Sequence, residues 1–117
     1  MNIIHTQKAP AAIGPYSQGY AVNDLVFTSG QIPVDPATGA IPEGIAAQCE
    51  QSCKNVAAIL EAAGVSMDKV FKTTCFLADM DDFAAFNEVY AQYFVSKPAR
   101  SCVAVKTLPK GVLCEIE

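Results

Sequence analysis

A single histidine, eight lysines and arginines together, and no Cys-x-x-Cys pair leave this 117-residue chain with few of the usual tools of enzyme chemistry. The histidine, His5, falls near the N-terminus in a possible edge strand. No nucleophile-elbow motif surrounds any serine or cysteine, which argues against Ser–His–Asp or Cys–His chemistry. The cationic residues are scattered, the formal net charge is -4 and the isoelectric point is about 4.8. A nucleic-acid binder displays a basic stripe that releases counterions from phosphates, and a membrane-surface helix lines its polar face with Lys or Arg. Neither pattern is present, so nucleic acid and membrane are not expected partners. No apolar run reaches the length of a transmembrane span. The opening MNIIHTQKAP lacks the charged start and apolar stretch of a signal peptide. No glycine-rich phosphate loop precedes a helix, so no nucleotide fingerprint is present. Five cysteines, an odd number, fit a reducing cytoplasm better than an oxidising compartment. Cys49 and Cys53 stand four apart and could supply two metal ligands, but a closed site needs two more. They read as small core residues, and no metal is expected.

What the chain does have is apolar character: 51% of residues are hydrophobic and 17% charged. Its length predicts one domain over residues 1–117, with part of the apolar surface covered by another subunit. Residues Asn2–His5 read as a short strand and Ala9–Pro15 as an irregular loop. Ser17–Val22 and Leu25–Ser29 are strand-like runs flanking an Asn23-Asp24 turn. Prolines and glycines make Gln31–Gly44 a loop. Ile45, Cys49, Cys53, Val56, Leu60 and Ala63 recur at helical spacing, and Gly64 suits the position just past the helix end. Lys69–Ala78 returns to strand composition. Asp79 or Asp81 can cap a second helix with Phe83, Phe86, Tyr90 and Phe94 on its buried face, ended by Pro98. Ser101–Val105 and Val112–Glu117 close the chain. The order β-β-β-α-β-α-β-β predicts an α+β fold, a mostly antiparallel sheet with two helices on one face and the other face open to a partner.

Few residues stand out as candidates for chemistry. Arg100, just before the fifth strand, alternates onto one side with Cys102 and Ala104. Its planar fork could clamp a carboxylate through two charge-assisted bonds, or form a surface or inter-subunit ion pair. Glu115 alternates away from Val112, Cys114 and Ile116. It could orient or deprotonate a water, or simply sit on a solvated strand edge. Tyr16, after Gly14-Pro15, and Asn87, inside the aromatic helix, are polar groups in apolar settings. Residues of that kind more often complete a core or an interface.

Read together, several segments resemble the Rid (YjgF-like) deaminase family. Ala9–Gly19, with Gly14-Pro15-Tyr16-Ser17-Gln18-Gly19, resembles its N-terminal motif, and Thr28-Ser29-Gly30-Gln31-Ile32-Pro33 its second. Pro98-Ala99-Arg100-Ser101-Cys102-Val103 resembles its signature near the C-terminus, followed by Leu108-Pro109 and Glu115-Ile116-Glu117. The similarity spans the chain in order. The resemblance implies a chorismate-mutase-like fold and a homotrimer with active sites in clefts between subunits. It further implies cofactor-free hydrolysis of 2-aminoacrylate-type enamines and imines, released by pyridoxal-phosphate dehydratases, to 2-keto acids and ammonia. By similarity Arg100 binds the substrate carboxylate, Glu115 positions the attacking water and the Cys102 backbone N–H holds the intermediate. Tyr16, Ser29, Gly30 and Asn87 line the pocket. The Val95-Ser96-Lys97 segment is shorter than in many relatives, and relatives usually continue the last strand beyond the position of Glu117, so a different cleft rim is expected. Two other readings are a non-catalytic trimeric module that binds keto or enamine acids, and an RNA-directed role, which the acidic composition opposes.

Overall fold

Asn23 adopts a left-handed φ of 53°, a conformation asparagine tolerates better than most residues, and it turns the chain back on itself at the first hairpin. The computed structural model describes residues 2–117. Strands β1 (Asn2–Ile4), β2 (Gly19–Val22) and β3 (Leu25–Thr28) form one antiparallel ladder in that order. After the loop come helix α1 (Ile45–Ala62), β4 (Lys72–Leu77), α2 (Phe83–Tyr93), β5 (Ala99–Ala104) and β6 (Cys114–Ile116). The second ladder runs β5-β4-β6, and an isolated antiparallel bridge pairs Ile116 of β6 with Gln31, in the segment that follows β3. The expected α+β fold is present, with three of the four strand pairings antiparallel.

The fourth pairing, β4–β5, is parallel, because α2 carries the chain back across the sheet before β5 begins. One expectation needs correction: the fifth strand starts earlier than Ser101. Ala99 N–H donates to the Phe71 carbonyl at 3.0 Å, directly after Pro98, so Arg100 lies inside the strand instead of ahead of it. The remaining shifts are at element ends: a 3-10 turn at Met67–Lys69 delays β4, and another at Pro109–Gly111 delays β6.

Both helices lie on one face of the second ladder. The core joins Cys49, Cys53, Val56 and Leu60 of α1, Phe86 and Tyr90 of α2, and Cys75, Leu77, Cys114 and Ile116 of the strands. Helix α1 stops as anticipated at Gly64, whose φ is 76°. Gly64 N–H donates to Glu61 O and Val65 N–H to Leu60 O, which satisfies carbonyls the helix end would otherwise leave open. A second, polar stripe on α1 escaped the sequence reading. Gln48, Ser52 and Asn55 are buried, and Asn55 Nδ2 donates to the carbonyls of Ile32 (3.1 Å) and Val34 (2.9 Å). That stripe fixes the loop that leaves Gly30.

The opposite sheet face is uncovered. Ile3, Tyr20 and Phe27 are in cross-strand register on it and are exposed, as is Val103 on β5. Large apolar side chains aligned on one face are the pattern anticipated for a subunit contact. No described helix is long and apolar enough to cross a membrane.

Candidate active site

Arg100 is the only arginine of the chain. Its place in β5 puts it opposite Thr73 of β4, on the helix-covered side. There α2 presents Phe83, Asn87 and Tyr90 at helical spacing. The guanidinium lies 4.7 Å from the Tyr90 ring centroid and 5.5 Å from that of Phe83. Its Nη1 donates to Asn87 Oδ1 at 2.8 Å. Among the described residues the ion pairs are Lys8–Glu61 and Lys54–Glu50, so Arg100 keeps an unneutralised charge. π faces and one amide oxygen hold it while leaving most of its five N–H donors free. No ion pair within the described residues engages Arg100, which leaves a bound carboxylate or an acidic group of a neighbouring subunit as its two candidate partners. A cleft of about 350 Å³ lies beside it, lined by Asn87, Tyr90, Ala91, Phe94, Val95, Lys97 and Pro98.

Cys102 follows on the same strand. Burial pushes its thiol above the ordinary cysteine range, which argues against a nucleophilic role. Its backbone is more informative. β5 is an edge strand, and Ala99 and Val105 N–H point inward to Phe71 O and Leu77 O. Alternation from those two positions turns the Cys102 N–H to the free edge, where it can meet a ligand.

Glu115 belongs to a second group. It pairs in register with Phe76, whose side of β4 is opposite to that of Thr73 and Cys75, so its carboxylate lies on the open face. Burial first, and the Glu117 carboxylate second, raise its pKa above the usual glutamate range. The carboxylate packs directly over Gly30, where a Cβ would overlap Oε1 and stand 2.9 Å from Cδ. Glycine at position 30 thus makes room for the carboxylate by contact, not by dihedral angle. Gly30→Ala is expected to displace the carboxylate end with little loss of stability, since Glu115 is flexible. Activity should fall by about tenfold at nearly unchanged melting temperature, checked by paired kinetics and thermal unfolding.

Ser29 and Tyr16 are the remaining expected residues. The Ser29 hydroxyl donates to Ser17 O at 2.6 Å and is already engaged, so Ser29 shapes the loop around Gly30. Tyr16 is 51% exposed, and its side chain makes no hydrogen bond among the described residues. The buried Gln18 amide holds the neighbouring segment by donating to Thr6 O, Ala9 O and Pro10 O. The candidate residues therefore fall into two groups: Arg100, Asn87 and Cys102 by the sheet edge, and Gly30, Ser29 and Glu115 on the open face. From the strand register the Cα atoms of Arg100 and Glu115 are about 14 Å apart, three residues along and two strands across. A second cavity, about 570 Å³, opens between β3 and the start of β4 and includes none of these residues. Chemistry, not volume, marks the site. The aromatic support of Arg100 was not foreseen as part of it, although Phe83, Asn87 and Tyr90 share one helical stripe in the sequence.

The chain is a small α+β fold with a lone guanidinium, unpaired among the described residues, beside a sheet edge. The family model described as Endoribonuclease L-PSP matches residues 6–117, and the chain belongs to this family. It is 53% identical over 118 residues to the 2-iminobutanoate/2-iminopropanoate deaminase of Salmonella typhimurium, covering 97% of this chain and 92% of that protein. A RutC family protein of Haemophilus influenzae is 55% identical, with 98% and 92% covered. Among solved structures, Escherichia coli TdcF with bound serine superposes with a TM-score of 0.96 at 52% identity, covering 99% of this chain and 94% of that one. The E. coli YjgF gene product gives 0.96 at 49% identity, with the same coverage. The resemblance to the Rid family read from the motifs is thus upheld along the whole chain.

Proposed function

We propose that the protein is a hydrolytic deaminase that converts 2-aminoacrylate-type enamines and their imine tautomers to 2-keto acids and ammonia. The observation that carries this reading is the unneutralised Arg100 guanidinium, held by Asn87 and two aromatic faces beside an open strand edge. The name of the S. typhimurium relative, identical at half of all positions, supplies the reaction. An imine carbon is already electrophilic, so the protein needs to hold the carboxylate, orient a water and move protons. Arg100 and the Cys102 N–H bind the substrate. Glu115 takes a proton from water as its oxygen bonds to the imine carbon. The same carboxyl returns that proton to the nitrogen, giving a carbinolamine; it then carries the hydroxyl proton to the amino group, the C–N bond breaks, and ammonia leaves as the carbonyl forms.

Arg100 and Glu115 occupy opposite sheet faces about 14 Å apart, too far for one small substrate to touch both in one chain. We therefore assign them to a cleft shared by neighbouring subunits, with Arg100, Asn87 and Cys102 from one chain and Tyr16, Ser29, Gly30 and Glu115 from the next. A homotrimer, formed through the open apolar face around Ile3, Tyr20 and Phe27, fits this assignment. A cytoplasmic setting beside pyridoxal-phosphate dehydratases would supply the substrate. The acidic composition offers no basic stripe for RNA, whatever the family description, so nucleic acid is not proposed as a partner.

The direct test is keto-acid release in an assay coupled to a serine or threonine dehydratase, with sedimentation measured on the same sample. Acceleration by a trimer supports both parts. A trimer that binds 2-keto acids saturably without accelerating release supports a ligand-binding module instead, a reading favoured by the serine held in the TdcF structure.

A further inference from the structure

We propose that Thr73 and Tyr90 form a positioning pair whose hydroxyl contact sets the plane of the Arg100 guanidinium and thereby tunes carboxylate affinity. This inference rests on the reading of Arg100 as the carboxylate anchor. Thr73 Oγ1 and Tyr90 Oη lie 2.6 Å apart, and both residues are buried. Thr73 is also the residue directly across the β4–β5 ladder from Arg100. Two routes therefore lead from one strand position to one guanidinium. One passes through the strand pairing to the arginine backbone; the other passes through the hydroxyl contact to the ring beneath the charge.

Packing alone asks for neither hydroxyl. The inward positions that follow Thr73 on β4 are Cys75 and Leu77, so an apolar residue would suit the core there. Tyr90 stacks between Phe86 and Phe94, at centroid distances of 5.7 and 4.4 Å, and phenylalanine would stack as well. A polar pair costs desolvation in such a place, and its return is a fixed geometry. A cation over a ring is held loosely in the plane of the ring, because the attraction varies slowly as the charge slides. Tethering the ring at its far end removes one source of that play. Asn87, three residues before Tyr90, then fixes the remaining rotation through Nη1.

The presence of one arginine makes the test direct, since its Nε–H gives a single nitrogen–proton NMR signal. Hydrogen exchange at that signal would be compared in wild type, Tyr90→Phe, Thr73→Val and Thr73→Ser, alongside KM and kcat for 2-iminobutanoate. The two hydroxyl-deleting variants are expected to exchange about tenfold faster, while Thr73→Ser stays near wild type. KM should rise about fivefold in the same two variants with kcat little changed, because an anchor engaged in ground and transition states alike affects binding first. The double variant should match either single one, since both remove one contact. A purely structural role would lower the melting temperature and leave exchange and KM alone, and that result would overturn the proposal. Faster exchange in a set where even wild type shows no turnover would uphold the pair and remove the deaminase reading instead.

Discussion

Arg100→Ala lowers kcat/KM for imine hydrolysis by about thirty- to a thousandfold, the expected result if the guanidinium is the carboxylate anchor. Each charge-assisted bond from a partly desolvated guanidinium contributes about 1.5–3 kcal/mol, and a bidentate grip makes two. Allowing for residual binding by the Cys102 N–H, a loss of about 2–4 kcal/mol of transition-state stabilisation corresponds to about thirty- to a thousandfold in rate. Arg100→Lys keeps the charge but loses the planar fork and the stacking on Tyr90, and should recover only a small part of the activity. The fold should tolerate both changes, because Arg100 is half-buried at a sheet edge and makes one side-chain hydrogen bond. Circular dichroism and thermal unfolding separate this from collapse. Wild-type kinetics in a folded Arg100→Ala protein would refute the anchor.

Glu115→Gln carries the second large effect, a fall in kcat of about a hundredfold or more, in the range that a lost acid–base group produces. Its pH behaviour is specific. The carboxyl titrates above the ordinary glutamate range, so the acid limb of kcat/KM should lie above about pH 4.3 and disappear in the variant. Stability moves in the other direction. A carboxyl whose folded pKa is raised favours folding while protonated, and that contribution is present below its unfolded pKa. It is lost as pH rises through the folded value. At neutral pH the half-buried charge beside Glu117 therefore costs stability, and Glu115→Gln should melt higher than wild type. The difference should shrink as the pH falls toward about 4. An inactive but stabilised variant is the signature of a strained functional carboxylate; an inactive and destabilised one would assign Glu115 to the fold.

Much of this arrangement was legible beforehand. The period of Ile45–Ala63 and the break at Gly64 defined α1 because an amphipathic helix writes its buried face in three- and four-residue steps. Alternation separated Glu115 from Cys114 and Ile116, and Arg100 from its strand neighbours, for the equivalent reason in strands. What alternation could not supply was the pairing between strands. Whether β5 lies parallel to β4, and so whether Arg100 meets Thr73, depends on long-range packing that leaves no local mark. The same holds for the Gly30–Glu115 contact, which joins residues 85 positions apart. Asn55 looked like an ordinary helical polar residue, and only the approach of the Ile32 and Val34 carbonyls gives it a reason. The motifs named the candidate residues, while the register places them in two separate groups.

The grip on the carboxylate has a cost at the end of the cycle. Deamination changes the nitrogen-bearing carbon and leaves the carboxylate as it was, so under the proposed assignment a keto acid would meet Arg100 and the Cys102 N–H much as the imine would. An enzyme that recognises its substrate mainly by the unreacted end discriminates poorly between what it consumes and what it releases. Product should accordingly compete with substrate, and turnover in a cell would follow how quickly other enzymes draw the keto acid away.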